Sequence, residues 1–461
     1  MQLQWAACPD VPDTECASIE VPIDYTRPDG PQLPLRLGRV PAADPASSKG
    51  VLLIIPGGPG VGISGVFDNT RALHHIDEMA RQWDVVSFDP RGIGQSSPIR
   101  CAPDAVPPVI APFDRPPSPA EFEAIARANT AFIQSCVEAT GELVTHLSSL
   151  DSADDIERIR QALSPNDGLV AYGGSYGSPY ATAYLERYGD HVKALVLDGV
   201  VDHSVDLPTF MVRNVLSVSE AFARFASWCE QDSACALHGR DVGRVFEAAI
   251  ATAPAVHTVV PQRMAGGQHP QLGWSLIAQI LAQVSDGDTS ALEALSGAAA
   301  PDSADSTGSD PWIAAGSDGL YYGVLCADFG PQRDYAAFSD AAEAIARQAP
   351  RFAWRFWDAT SDAHGTAGVG DCVGWPYEVR NPPHRLQVGS HPNVLVANSA
   401  YDSQTPLINA LAVWLQIPDA RLLIADVDGH QSLIFSRCAF EAQMRFLADP
   451  TTMPSTTLCP N

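Results

Sequence analysis

The sequence predicts an α/β protein with a mostly parallel central sheet, interrupted late in the chain by a large helical insertion. Three observations predict it. Short apolar runs of the kind buried on both faces of a parallel sheet recur at residues 51–55, 83–88, 168–173 and 192–198. Helical periodicity fills the intervals at 119–139, 151–163 and 178–188. From residue 201 to about 385 mainly helical patterns follow, before apolar runs resume at 393–397 and 420–425. Residues 1–200 and 387–461 are therefore expected to form the core domain, and 201–386 a helical lid.

The elements follow in order. Residues 1–48 read as short strands and turns: a strand begins at Ala17, turns at Asp29-Gly30, and 33–40 can return antiparallel. The run 51–55 ends in Pro56-Gly57-Gly58-Pro59-Gly60, with a helix-like stretch up to about Arg81. The run 83–88 ends in Asp89-Pro90-Arg91-Gly92-Ile93-Gly94-Gln95-Ser96, and residues 102–118 are a Pro-rich surface excursion. The insertion carries helical patterns at 207–229, 240–251, 272–284, 291–298 and 335–347, with an Ala/Ser/Asp/Gly-rich loop expected at 299–319. One last helix is expected at 433–447.

Composition sets bounds. The 461 residues can bury a large core, and 46% hydrophobic with 18% charged content is ordinary for a globular chain. A net charge of −26 disfavours binding to nucleic acid or an anionic membrane, and no apolar run is long enough to span a bilayer. The opening Met1-Gln2-Leu3-Gln4-Trp5 lacks a basic and apolar leader. Ten cysteines, none in a Cys-x-x-Cys pair, suit a disulfide framework better than a zinc site. The expected protein is the mature form of a secreted one. No metal or cofactor is called for, and nothing in the sequence requires more than a monomer.

The chemistry concentrates where strands end. Gly173-Gly174-Ser175-Tyr176-Gly177 joins a buried strand to a helix, the context in which Gly-x-Ser-x-Gly forms a strained turn that exposes a nucleophilic serine. A serine hydroxyl needs a general base, and the base needs an orienting carboxylate. Of nine histidines downstream of Ser175, His430 follows a buried strand, and Asp402 follows the preceding one. Asp426 and Asp428 compete as the acid but stand too near His430 in sequence to arrive from a separate strand end. His203 and His364 read as surface or lid residues. The backbone N–H of Tyr176 and of Gly58 are the expected oxyanion donors. Asp202 and Asp328, at the lid boundary, are candidates to hold a substrate ammonium. Gly316-Ser317-Asp318-Gly319 imitates the serine turn but follows no apolar strand, so it is rejected. An acid in place of Ser175 would have suited an epoxide hydrolase or dehalogenase.

Together with Asp89-x-Arg91-Gly92-x-Gly94-x-Ser96 and Pro56-Gly57-Gly58-Pro59-Gly60, these residues resemble the proline iminopeptidase branch of the α/β-hydrolases. More closely they resemble the secreted tripeptidyl aminopeptidases of actinobacteria. Both chain ends are similar to that group, through Trp5 to Cys16 and Ser436 to Cys459. Ile55 and the segment 61–65 depart from it, the first where relatives often carry a polar residue, the second by its length. The resemblance implies an α/β-hydrolase fold, Ser175 as nucleophile, Asp402 and His430 as its partners, and disulfides between neighbouring cysteines: Cys8–Cys16, Cys101–Cys136, Cys229–Cys235, Cys326–Cys372 and Cys438–Cys459. The expected activity is a serine exopeptidase that releases short peptides from free N-termini. An esterase or amidase acting on a small metabolite could use the same residues, and a non-catalytic binding protein is the alternative of a different class.

Overall fold

Alternation inside the apolar runs decides how the sheet is filled. In Val51–Ile55 the side chains of Leu52 and Ile54 join one core cluster, and those of Leu53 and Ile55 the other. Val192–Asp198 repeats the rule, with Ala194 and Val196 on the first side and Leu195 and Leu197 on the second. Period-two side chains that are apolar on both faces demand cover on both faces, and helices supply it. All of these side chains are fully or nearly fully buried, so truncating one of the leucines or isoleucines to Ala would cost about 2–5 kcal/mol.

The structure, a computed structural model, describes residues 3–69, 75–105, 114–267, 273–298, 310–357 and 368–460. Its strands are β1 (Ala6–Ala7), β2 (Glu15–Pro22), β3 (Gln32–Val40), β4 (Val51–Ile55), β5 (Asp84–Phe88), β6 (Leu169–Gly174), β7 (Val192–Asp198), β8 (Val394–Tyr401), β9 (Arg421–Asp428) and β10 (Thr456–Cys459). They form one sheet in the order β1-β2-β3-β5-β4-β6-β7-β8-β9-β10. The pairs from β5 through β10 are parallel, and β1, β2 and β3 add an antiparallel edge. The registers Ile55↔Gly173, Gly174↔Asp198 and Asp198↔Ala397 align the C-terminal ends of the central strands. In open parallel sheets that end is where ligand sites form.

The helices begin with α1 (Ile76–Met79), α2 (Pro119–Thr140), α3 (Ser149–Leu163) and α4 (Gly177–Tyr188). Capping boxes open α2 and α3: Ser118 with Glu121, and Ser148 with Asp151. Between β7 and β8 come α5 (Leu207–Gln231), α6 (Val242–Thr252), α7 (Val256–Met264), α8 (Trp274–Ser285), α9 (Ser290–Ala298), α10 (Pro311–Phe329), α11 (Tyr335–Gln348) and α12 (Trp354–Trp357), with no strand among the described residues. After β8 come α13 (Leu407–Trp414), α14 (Ser432–Phe435) and α15 (Arg437–Ala448).

The structure departs from expectation in several elements. Residues 311–319, expected as loop, are the first half of α10; the rest of that stretch, 299–309, lies outside the described residues, as does His364. The glycines that suggest a loop are close-packing positions. A Cβ on Gly316 would stand 1.7 Å from the Ile99 carbonyl oxygen, and one on Gly319 would stand 2.3 Å from Cys101 Sγ. Helix α7 was not expected and contains Pro261. The expected final helix is two, because Ser436 caps α15 through the N–H of Ala439. The strand at 456–459 was also missed; it pairs parallel with β9. All ten cysteines are paired as the resemblance implies.

Candidate active site

Strand β6 delivers Ser175 at φ 55°, a left-handed conformation that costs a non-glycine residue on the order of 1–3 kcal/mol. The flanking glycines permit the turn. A Cβ on Gly177 would stand 2.4 Å from the Ile55 carbonyl oxygen, and one on Gly173 would stand 2.8 Å from the Gly177 carbonyl oxygen. The Ser175 N–H donates to the carbonyl of Asp198 at 3.0 Å, tying the turn to the end of β7.

Past β8, Asp402 is fully buried and accepts the N–H groups of Gln404 and Thr405, each at 2.8 Å. Its Oδ2 lies 2.8 Å from Nδ1 of His430, beyond β9, and Thr405 Oγ1 lies 3.2 Å from the same nitrogen. That contact reserves Nδ1 for the carboxylate and leaves Nε2 as the basic nitrogen. Burial opposes a charge on His430, but the charge and hydrogen bond of Asp402, with a further contribution from Asp198, outweigh it and raise the imidazole pKa. The ring lies over Gly199, where a Cβ would come within 3.1 Å of His430 Cε1. Gly199 adjoins Asp198, so the elbow and the imidazole meet at one dipeptide.

The loop after β4 reaches the same place. A Cβ on Gly57 would stand 2.9 Å from Ser175 Cβ and 3.3 Å from the Tyr176 nitrogen, so only a bare backbone fits against the elbow there. Gly58 follows at φ 104°, turning the chain back. The Asp89–Ser96 motif supports this loop from beneath. Asp89 accepts the N–H of Ile63 at 2.7 Å, and buried Arg91 pairs with both oxygens of Asp155 at 2.7 and 2.8 Å.

The lid-boundary candidates behave differently from expectation. Asp202 is buried and paired with Arg213 at 2.8 Å, while its other oxygen accepts Ser204, so its charge is already balanced inside the protein. Asp328, fully buried, accepts the Ser149 N–H at 2.8 Å, the Ser149 hydroxyl and the Tyr176 hydroxyl at 2.9 Å. It holds the residue after the nucleophile rather than facing open space. His203 is buried, with Nε2 3.0 Å from the Asp328 carbonyl oxygen, and is not a surface residue. Asp428, one of the two competing acids, forms a bidentate pair with Arg224 of α5 at 2.7 and 2.9 Å.

Two contacts from the helical insertion were not foreseen. Arg224 also stacks 3.4 Å over the ring of Tyr401, next to Asp402. The His430 N–H donates at 2.8 Å to the carbonyl of Ala265, just past α7. Asp198, fully buried at the end of β7, was missed as well; read as the last residue of an apolar strand, it gave no separate signal.

The family model for the alpha/beta hydrolase fold matches residues 50–436, and the chain belongs to that family. Among curated relatives, tripeptidyl aminopeptidase of Streptomyces lividans is 28% identical over 89% of this chain and 76% of its own length. Carboxylesterase B of Mycobacterium tuberculosis is 28% identical over 99% of this chain and 90% of its own. Serine protease Hip1 of the same species is 28% identical over 96% and 87%. All three names describe hydrolases, and the chain is a hydrolase of this family.

Proposed function

We propose that this hydrolase is a serine exopeptidase that releases tripeptides or similar short peptides from free N-termini. Ser175 Oγ attacks the scissile carbonyl while Nε2 of His430 takes its proton. The imidazolium returns that proton to the leaving amine, and a water molecule then frees the acyl group from Ser175 by the same route. Asp402 holds the tautomer and faces the transient cation. The N–H groups of Gly58 and Tyr176 receive the oxyanion, each worth about 10²–10³ in rate. Residues 201–386 act as the lid that selects substrate. Five disulfides among ten cysteines support an exported protein, and no helix among the described residues is long and apolar enough to cross a membrane.

The observation that carries the mechanism is the Asp402–His430 pair, its imidazole over Gly199, with a serine at φ 55° bonded to the adjoining Asp198. The likeness to the Streptomyces aminopeptidase supports the peptide reading, while the likeness to a carboxylesterase, at the same identity and over more of the chain, favours a second one, ester hydrolysis at the same serine. A substrate panel separates them: tripeptide and single-residue p-nitroanilides, free and N-blocked, beside p-nitrophenyl esters, for wild type and Ser175→Ala. The expected result is Ser175-dependent turnover of free tripeptide anilides, at least tenfold above their N-blocked forms. Equal turnover of free and blocked peptides would overturn the aminopeptidase reading, and turnover of esters alone would establish the second.

A further inference from the structure

A fully buried carboxylate that, among the described residues, pairs with no Lys or Arg needs a reason to be there, because burial opposes its charge. Asp198 is such a group, and its partners define its task. One oxygen accepts the N–H and hydroxyl of Ser432 at 2.8 and 2.9 Å. The other accepts the N–H of Leu433 at 2.8 Å and Gln443 Nε2 at 3.1 Å. Ser432 and Leu433 stand two and three residues past His430. The main chain of Asp198 meanwhile accepts the N–H of Ser175, and its neighbour Gly199 is the floor under the imidazole. One residue therefore grips the nucleophile with its backbone and the loop of the base with its side chain.

We propose that Asp198 is a positioning residue that sets the geometry between Ser175 and His430 and adds a second negative charge behind the imidazole. This rests on the assignment of Ser175 and His430 as nucleophile and base. The groups around His430 are Asp402 in direct contact, Asp198 at the end of β7, Tyr172 of β6, whose hydroxyl bonds Gln431 at 2.9 Å, and the Arg224–Asp428 pair two residues upstream. Asp198 is the one among them that also holds the serine. Every donor around it converges on a carboxylate, although burial pushes its pKa above the usual range.

Asp198→Asn keeps the volume and removes the charge and half of the acceptor capacity. Wild type and variant would be titrated with an irreversible fluorophosphonate, its attachment site read by peptide mass spectrometry. Turnover of a p-nitrophenyl ester would then be expressed per titrated site across pH. The expected outcome is a per-site kcat lower by about 10- to 100-fold, the scale of a small misplacement of reacting groups. KM should be little changed, and the acid limb should move to lower pH as the imidazolium loses a stabilising charge. A variant with fewer titratable sites but wild-type per-site kcat and pH profile would show a merely structural role and overturn the proposal. Should Asp198→Asn fail to fold, Ser432→Ala deletes one donor and keeps the carboxylate; a lower per-site kcat is expected, and an unchanged one overturns the proposal. Failure of the probe to label Ser175 in wild type would overturn the serine assignment, and this proposal with it.

Discussion

At Ser175 the backbone is held where a non-glycine residue rarely sits, and the neighbours that hold it are glycines and a carbonyl. The same few residues set how the site responds to pH. His430 must be neutral to accept a proton, and its pKa is raised above the ordinary 6.5. Activity should therefore be lost as pH falls through a value above 6.5, read as the acid limb of kcat/KM. Asp402→Asn removes the direct partner, so that limb should move down while kcat drops by on the order of 10⁴. An unmoved limb would show that another group controls it. That Ser175, Asp402 and His430 each stand where an apolar strand ends was legible, the last two at the spacing that one helix and one strand require. The partners of Asp202 and Asp328 were not legible. Asp202 and Asp328 look alike in sequence as loop or helix acids, and only packing gives one to Arg213 and the other to Ser149 and Tyr176.

Among the elements, α10 shows how composition misleads. Ala315, Gly316, Ser317 and Gly319 suggest a turn, yet they are helical, and Gly316 and Gly319, three apart on one face, meet Ile99 and the Cys101–Cys136 disulfide at backbone distance. Asp328 in its last turn bonds Tyr176, so its seating is transmitted to the elbow. Gly316→Ala should gain about 1 kcal/mol in helix propensity and lose more, about 1–3 kcal/mol, to the clash with the Ile99 carbonyl. A lower melting temperature with reduced activity is expected. A melting temperature equal to or above wild type would refute this account of the glycine. Helix α5 plays a similar part on the other side, where Arg224 spans Asp428 and Tyr401, the residues flanking the two strand-end loops. The strands were legible because a chain buried on both sheet faces leaves an unbroken apolar run. Short β10 was not, since Thr456–Cys459 is half exposed and draws its order from pairing with β9.

Across the whole molecule, the disulfides are local. Cys8–Cys16, Cys101–Cys136 and Cys438–Cys459 lie outside residues 201–386, and Cys229–Cys235 and Cys326–Cys372 lie inside. No cross-link ties the insertion to the sheet beyond the chain itself, so their association rests on packing and on polar contacts such as Arg224–Asp428. One of those contacts is the bond from the His430 N–H to the Ala265 carbonyl. Its consequence concerns timing. If the insertion swings far enough to break that bond, the base loses an anchor at the moment the site is open, so admission and cutting become separate states. Such an enzyme would be idle while ajar, and a passing chain that cannot let it close would escape uncut. Amide hydrogen exchange tests this: the His430 N–H should exchange faster than the amides of β7, and a non-hydrolysable N-terminal peptide analogue should slow it. Exchange as slow as in β7, with or without the analogue, would mean that the door and the blade never part.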